Sequence, residues 1–120
     1  MNERTIFHEI ISGEVNSKVV YQDHLVTAFE DIRPKSPVHI LIVPNKYIKN
    51  LNSIKDTKNQ KVLLGHMIFI CSKIAKIKKI QDTGYRLVMN CNKDAGQEID
   101  YLHMHLVGGQ PLGSFLEIKK

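Results

Sequence analysis

Two histidines, His103 and His105, stand two residues apart in the run Tyr101-Leu102-His103-Met104-His105-Leu106-Val107, which ends on Gly108 and Gly109. Side chains alternate between faces along a β-strand. Leu102, Met104 and Leu106 therefore share one face, and Tyr101, His103 and His105 share the other. At roughly 3.3 Å per residue the two imidazoles lie about 7 Å apart, a gap that admits a small anionic group. A third histidine, His39, sits in the apolar run from Val38 to Pro44 and can project onto the same face. Polar groups in apolar strands need partners, so three imidazoles placed this way point beyond core packing to chemistry. A neutral imidazole is a nucleophile or general base near neutral pH. Three imidazoles are also a passable zinc ligand set, and the neighbouring loop offers Asp94, Glu98 and Asp100 as oxygen donors. The residues by themselves leave phosphate chemistry and metal binding both open. His8, His24 and His66 fall in helix or turn contexts and read as surface residues.

The elements that must position these groups follow from periodicity. In "TIFHEIISGE", Ile6, Phe7, Ile10 and Ile11 recur at helical spacing with Gly13 just after, which predicts a short amphipathic helix with a C-terminal stop. "KVVYQD" and "LVTAFEDI" are β-prone runs around Asp23 and His24 and read as a hairpin. Pro34 and Pro37 break the chain before "VHILIVP", a strand with at least one buried face that ends at Pro44. From about residue 59 to 80, Val62, Leu63, Met67, Ile70, Cys71, Ile74 and Ile77 repeat at three and four, predicting the one long helix. Its late lysines suit the negative end of the helix dipole. "GYRLVMN" and "YLHMHLVGG" are two more strands, joined by the loop "CNKDAGQEID". The pattern predicts a single α+β domain over residues 1–120: about five mostly antiparallel strands with one long helix and one short helix.

Composition narrows the function classes. An apolar share of 42% and a charged share of 24% suit a soluble globular chain rather than a disordered one. No run approaches the roughly 20 apolar residues of a membrane span, and the N-terminal residues show no export signal, so no membrane partner is expected. Cys71 and Cys91 lack metal-site spacing and read as reduced thiols of a cytoplasmic protein. The net charge of +5 comes mostly from scattered lysines. No arginine cluster or aromatic-interleaved basic strand accompanies it, which argues against a nucleic-acid partner.

The blocks "TIFHEIISGE", "TAFEDIRPKSPVH", "HILIVP", "NCNKDAGQE" and "LHMHLVGGQPLG" together resemble the histidine triad (HIT) family, most closely its branch of nucleoside phosphoramidases. The resemblance runs from about residue 4 to 116. It implies an antiparallel sheet carrying helices, and a homodimer in which the long helix and a central strand meet their counterparts. It implies no cofactor and no metal. The family motif is His-x-His-x-His followed by two apolar residues, and here Tyr101 stands at its first position. By resemblance, His103 attacks the α-phosphorus of a purine nucleoside 5′-phosphoramidate or related adenylyl conjugate, and water then releases AMP or GMP from a nucleotidyl-histidine. His105, with backbone amides near Gly96 and Gln97, would stabilise the phosphate oxygens. Asn90 matches a phosphate-side amide, Asp31 the carboxylate for the ribose hydroxyls, and Glu98 a position able to assist the leaving amine. Phe7, Ile10, Phe29, Ile32 and Leu41 match the apolar slot for the base, although Phe29 and Leu41 read equally well as core. Tyr101 would lend its carbonyl to His103, with its side chain in a supporting position linked to His39. Losing the histidine there implies reduced or retuned activity. The alternative is a nucleotide-binding protein with weak catalysis or none.

Overall fold

The fold begins at Thr5, whose hydroxyl accepts the Phe7 N–H at 3.1 Å while its own N–H donates to His8 Nδ1 at 2.8 Å. This reciprocal cap starts α1 (Ile6–Ser12) with a histidine in the place usually taken by Glu or Gln. Gly13, at φ 83°, closes the helix in the left-handed conformation that glycine adopts at little cost. The computed structural model describes residues 4–116. After α1 come β1 (Val19–Gln22), β2 (Val26–Glu30), β3 (Val38–Pro44), α2 (Lys58–Ile77), β4 (Tyr85–Val88) and β5 (Met104–Gly108), with 3₁₀ turns at Leu51–Ser53 and Lys93–Ala95. The five strands form one antiparallel sheet in the order β1-β2-β3-β5-β4. This is the α+β architecture the sequence predicts. No helix among the described residues is long and apolar enough to cross a membrane.

The central strand β3 is buried on both faces, which explains its unbroken apolar run. Ile40 and Ile42 join Leu102, Met104 and Leu106 beneath Met67, Ile70 and Ile74 of α2. Leu41 and Val43 point the other way, into a second cluster with Phe7 and Ile10 of α1, Phe29 and Tyr101. Each fully buried aliphatic or aromatic side chain contributes roughly 1.5–3 kcal/mol, so both helices are held mainly by their apolar stripes.

Several boundaries differ from the sequence reading. The long helix stops at Ile77, where Lys78 caps it and Lys79 turns to φ 60°. Lys78 donates to Glu30 at 2.9 Å instead of continuing the lysine-rich turn. The last strand begins at Met104 rather than Tyr101, because the N–H groups of Tyr101 and Leu102 are taken by the carbonyls of Ile99 (2.8 Å) and Ile48 (2.7 Å). His66 is not a plain surface residue, since its Nε2 lies 2.7 Å from Asp23 Oδ2. Asp23 also accepts the N–H groups of Leu25 and Val26 and the hydroxyl of Tyr21, each at 2.8 Å, which fixes the β1–β2 turn. Burial works against its charge, but these hydrogen bonds outweigh burial and hold the carboxyl well below the usual carboxylate range.

Candidate active site

His103 lies just ahead of β5, buried, with its ring edge-on to Phe7 at 5.2 Å. Its Nδ1 is 2.6 Å from the Tyr101 carbonyl. A carbonyl only accepts, so the proton of the neutral ring sits on Nδ1 and Nε2 keeps its lone pair. Burial pushes the pKa of His103 down, while the Tyr101 carbonyl and the Asp31 charge pull it back part of the way.

His39 and His105 form a second imidazole unit, with His39 Nε2 and His105 Nδ1 2.9 Å apart. The Lys35 N–H donates to His39 Nδ1 at 3.0 Å, so His39 carries its proton on Nε2 and donates it to His105 Nδ1. That places the His105 proton on Nε2. Asp31 Oδ2 stands 3.5 Å from His39 Nε2 and orients the same unit. Burial, followed by the neighbouring His103 and His39, pushes His105 down to about 4. The rings of His103 and His105 lie 4.9 Å apart, closer than strand spacing predicts, because His103 is outside the ladder and leans toward its neighbour.

The histidines open onto a groove of about 750 Å³, a size that suits a small organic ligand. Phe7, Ile10, Phe29 and Leu41 form its apolar wall while also belonging to the core cluster, so Phe29 and Leu41 are core residues that also face the groove. Ile32 is 85% exposed and stands on the rim. Asp31, Asn90, Gly96 and Glu98 line the groove with His39, His103 and His105.

Three expectations need correction. The Gly96 and Gln97 amides are not spare phosphate donors: they bond the carbonyls of Lys93 (3.0 Å) and Asn92 (3.1 Å) in closing the 3₁₀ turn. Gly96 is required there by its φ of 76°; a Cβ would meet nothing within 4 Å. Gln97 does not line the groove. Its side chain braces the loop, donating to Lys49 O (3.0 Å) and Ile99 O (3.1 Å) and accepting the Asn92 N–H (2.9 Å). Tyr101 makes no link to His39, which is bonded to His105. The phenol reaches the other way and donates to the Pro44 carbonyl, with its ring packed against Phe7, His8 and Tyr47.

The donor atoms that converge among the described residues are those of Asp31, His39 and His105, within 4.8 Å of one another. The loop acids Asp94, Glu98 and Asp100 do not join them, and the His39–His105 hydrogen bond occupies two of the three groups. Sequence reasoning missed Val15, Asn16, Ser17, Lys35 and Val107 as groove residues. Val107 was visible as the next residue on the face of His103 and His105. Lys35 was visible only as a neighbour of Asp31 in the chain.

The site thus holds a buried imidazole bonded through Nδ1 beside a hydrogen-bonded imidazole pair, on a five-stranded antiparallel sheet. Residues 12–112 match the HIT domain, and the chain belongs to that family. It is similar to the purine nucleoside phosphoramidase of Escherichia coli K12, with 50% identity over 119 residues that cover 99% of this chain and 98% of that one. A HIT-like protein of Buchnera aphidicola from Acyrthosiphon pisum is 53% identical over 115 residues, covering 96% and 99% of the two chains. Among solved structures, the chain resembles a histidine triad protein from Clostridium difficile (TM-score 0.87, 40% identity, 92% of this chain and 95% of that one). It also resembles a HIT family hydrolase from Legionella pneumophila (TM-score 0.85, 38% identity, 90% and 95%).

Proposed function

We propose that the protein hydrolyses purine nucleoside 5′-phosphoramidates, or closely related adenylyl conjugates, through a nucleotidyl-histidine. The observation that carries this reading is the Nδ1–H of His103 on the Tyr101 carbonyl, which leaves Nε2 free to attack. The likeness to a relative named as a purine nucleoside phosphoramidase supports the substrate class. His103 Nε2 attacks the α-phosphorus, a P–Nε2 bond forms, and the P–N bond to the amine breaks as the amine takes up a proton. Water then attacks the same phosphorus, the P–Nε2 bond breaks, and AMP or GMP leaves. His105, with its proton on Nε2, donates to a phosphate oxygen as charge builds. Asn90 adds a side-chain amide at the same end, and Glu98, at the groove mouth, can assist the departing amine. Asp31 Oδ1 accepts the Arg33 N–H at 2.9 Å, and the carboxylate retains acceptor positions for the ribose hydroxyls. The replacement at Tyr101 does not remove the group His103 needs, because that group is a backbone carbonyl.

The same reading makes the protein a cytoplasmic homodimer. The free Cys71 and Cys91 support a reducing compartment, and the exposed face of α2 supports the dimer. The deciding experiment is AMP release from adenosine 5′-phosphoramidate by the purified protein in chelator, beside His103→Ala. Turnover that requires His103 and no metal is expected. Undiminished turnover in His103→Ala would sink the mechanism, and AMP binding with no turnover in the unaltered protein would leave a nucleotide-binding groove without the catalysis.

A further inference from the structure

The reaction above asks the groove to hold an anion, yet every group assigned to the phosphate is neutral. Burial lowers the pKa of His39 and His103 from the ordinary 6.5 and pushes His105 down to about 4, so above pH 6.5 all three rings are mainly uncharged. Asn90 is an amide. Asp31 and Glu98 add carboxylates to the same lining. An anion moved out of water among neutral donors and two carboxylates meets a desolvation and repulsion cost that a nearby cation offsets. The phosphate site is short of positive charge.

Among the described residues, the charged side chains that line the groove are Glu30, Asp31, Arg33, Lys35 and Glu98. Lys78 matches Glu30 at 2.9 Å, whereas Arg33 and Lys35 enter no ion pair among the described residues. Both cations lie on the turn between β2 and β3, and that turn anchors them differently. The Arg33 N–H goes to Asp31 Oδ1 at 2.9 Å, on the carboxylate assigned to the ribose. The Lys35 N–H goes to His39 Nδ1 at 3.0 Å, and the other nitrogen of His39 holds His105. Lys35 is therefore rooted against the imidazole pair that faces the phosphate. Its side chain is exposed and carries the ammonium on a flexible four-carbon stem. After burial, the Lys35 charge adds to the forces lowering the pKa of both His39 and His105, and Arg33 has no such effect on either ring. Of the two cations, Lys35 is the one near the phosphate donors.

We propose that the Lys35 ammonium is the counter-charge for the phosphate of a bound nucleotide and makes the groove prefer phosphorylated over unphosphorylated nucleosides. The inference rests on the nucleotide reading above. The test is calorimetric binding of AMP and adenosine to the unaltered protein, Lys35→Gln, Lys35→Arg and Arg33→Gln, with KM for adenosine 5′-phosphoramidate. These substitutions keep the backbone N–H that orients His39, and both side chains are exposed, so the melting temperature should hold. Lys35→Gln should bind AMP about 3- to 10-fold more weakly, with a higher KM, and Lys35→Arg should recover most of the loss. Adenosine, which has no phosphate, should bind all four proteins alike. The AMP difference should shrink at about 1 M salt, where charges are screened beyond about 3 Å. Unchanged AMP affinity in Lys35→Gln would overturn the proposal while leaving the nucleotide reading standing. An equal loss for adenosine would also overturn it, by assigning the side chain to the nucleoside or the fold. An equal AMP loss in Arg33→Gln would do the same, by reducing the effect to the general charge of the rim. If the unaltered protein binds neither AMP nor adenosine, the nucleotide reading falls and this inference with it.

Discussion

His103 and His105 are chemically the same side chain, and their surroundings give them opposite tautomers. The Tyr101 carbonyl draws the His103 proton to Nδ1, and the donated Nε2–H of His39 forces the His105 proton to Nε2. One ring therefore presents a lone pair and the other an N–H, which is the division a phosphoryl transfer between nucleophile and oxyanion donor requires. This division holds only while His103 is neutral, and burial lowers its pKa from the ordinary 6.5. Turnover should accordingly be flat above pH about 6.5 and fall on an acid limb whose midpoint lies below that value, read from kcat/KM against pH. A limb centred above 6.5 would contradict the burial argument. Stability follows the same sign. Well above 6.5, His103 and His105 are neutral in both the folded and the unfolded chain. As pH falls from 6.5 toward about 4, the unfolded chain takes up protons that the buried His103 and His105 resist, and the fold loses stability. Melting temperatures measured across that window should drop.

At the scale of elements, Tyr101 ties the segment ahead of β5 to the last residue of β3. Its phenol spans the α1-side cluster and donates to the Pro44 carbonyl. An imidazole is shorter than a phenol and cannot make the same reach, so Tyr101 has been built into this chain's packing rather than left as a decayed histidine. Tyr101→Phe keeps the ring but deprives the buried carbonyl of this donor, which should cost about 1–3 kcal/mol in denaturant unfolding. Tyr101→His should lose the bond and some packing together, and its turnover should not exceed that of the unaltered protein; a clear gain would show that the histidine restores more than the tyrosine holds. The strands and both helices were legible because their apolar residues keep periods near 2 and 3.6 over several turns or pleats. The candidate histidine pair was legible from two histidines on one strand face, and Asp31, Asn90 and the apolar wall came through the family resemblance. What stayed hidden depends on contacts between distant residues. Asp23 and His66 are 43 positions apart, and the Gly96 and Gln97 amides are consumed by a local 3₁₀ turn that no periodicity announces.

At the scale of the whole molecule, the sheet's two edges and the outer face of α2 say where a second copy would sit. Val62, Gly65 and Phe69 follow one another at spacings of three and four, away from the Met67, Ile70 and Ile74 stripe that packs on the sheet. Val62 is 54% and Phe69 63% exposed, an unusual display for residues of this size, and Gly65 between them leaves room for close approach because a Cβ there would meet nothing within 4 Å. Of the two edge strands, β1 is interrupted by a register irregularity between Val19 and Tyr21, which blunts pairing. The other edge, β4, pairs regularly with β5 from Tyr85 to Val88 and offers its free side to another strand. A two-fold contact through β4 and the Val62–Phe69 stripe would join the long helices and continue the sheet, pairing the edge strand β4 rather than the central strand the family resemblance implies. Burying a phenylalanine is worth roughly 1.5–3 kcal/mol, and about 1.4 kcal/mol is tenfold in affinity. Phe69→Asp should therefore weaken self-association at least about tenfold, seen by sedimentation as a shift from the mass of two chains toward one. An unaltered protein that sediments as a single chain would refute the dimer.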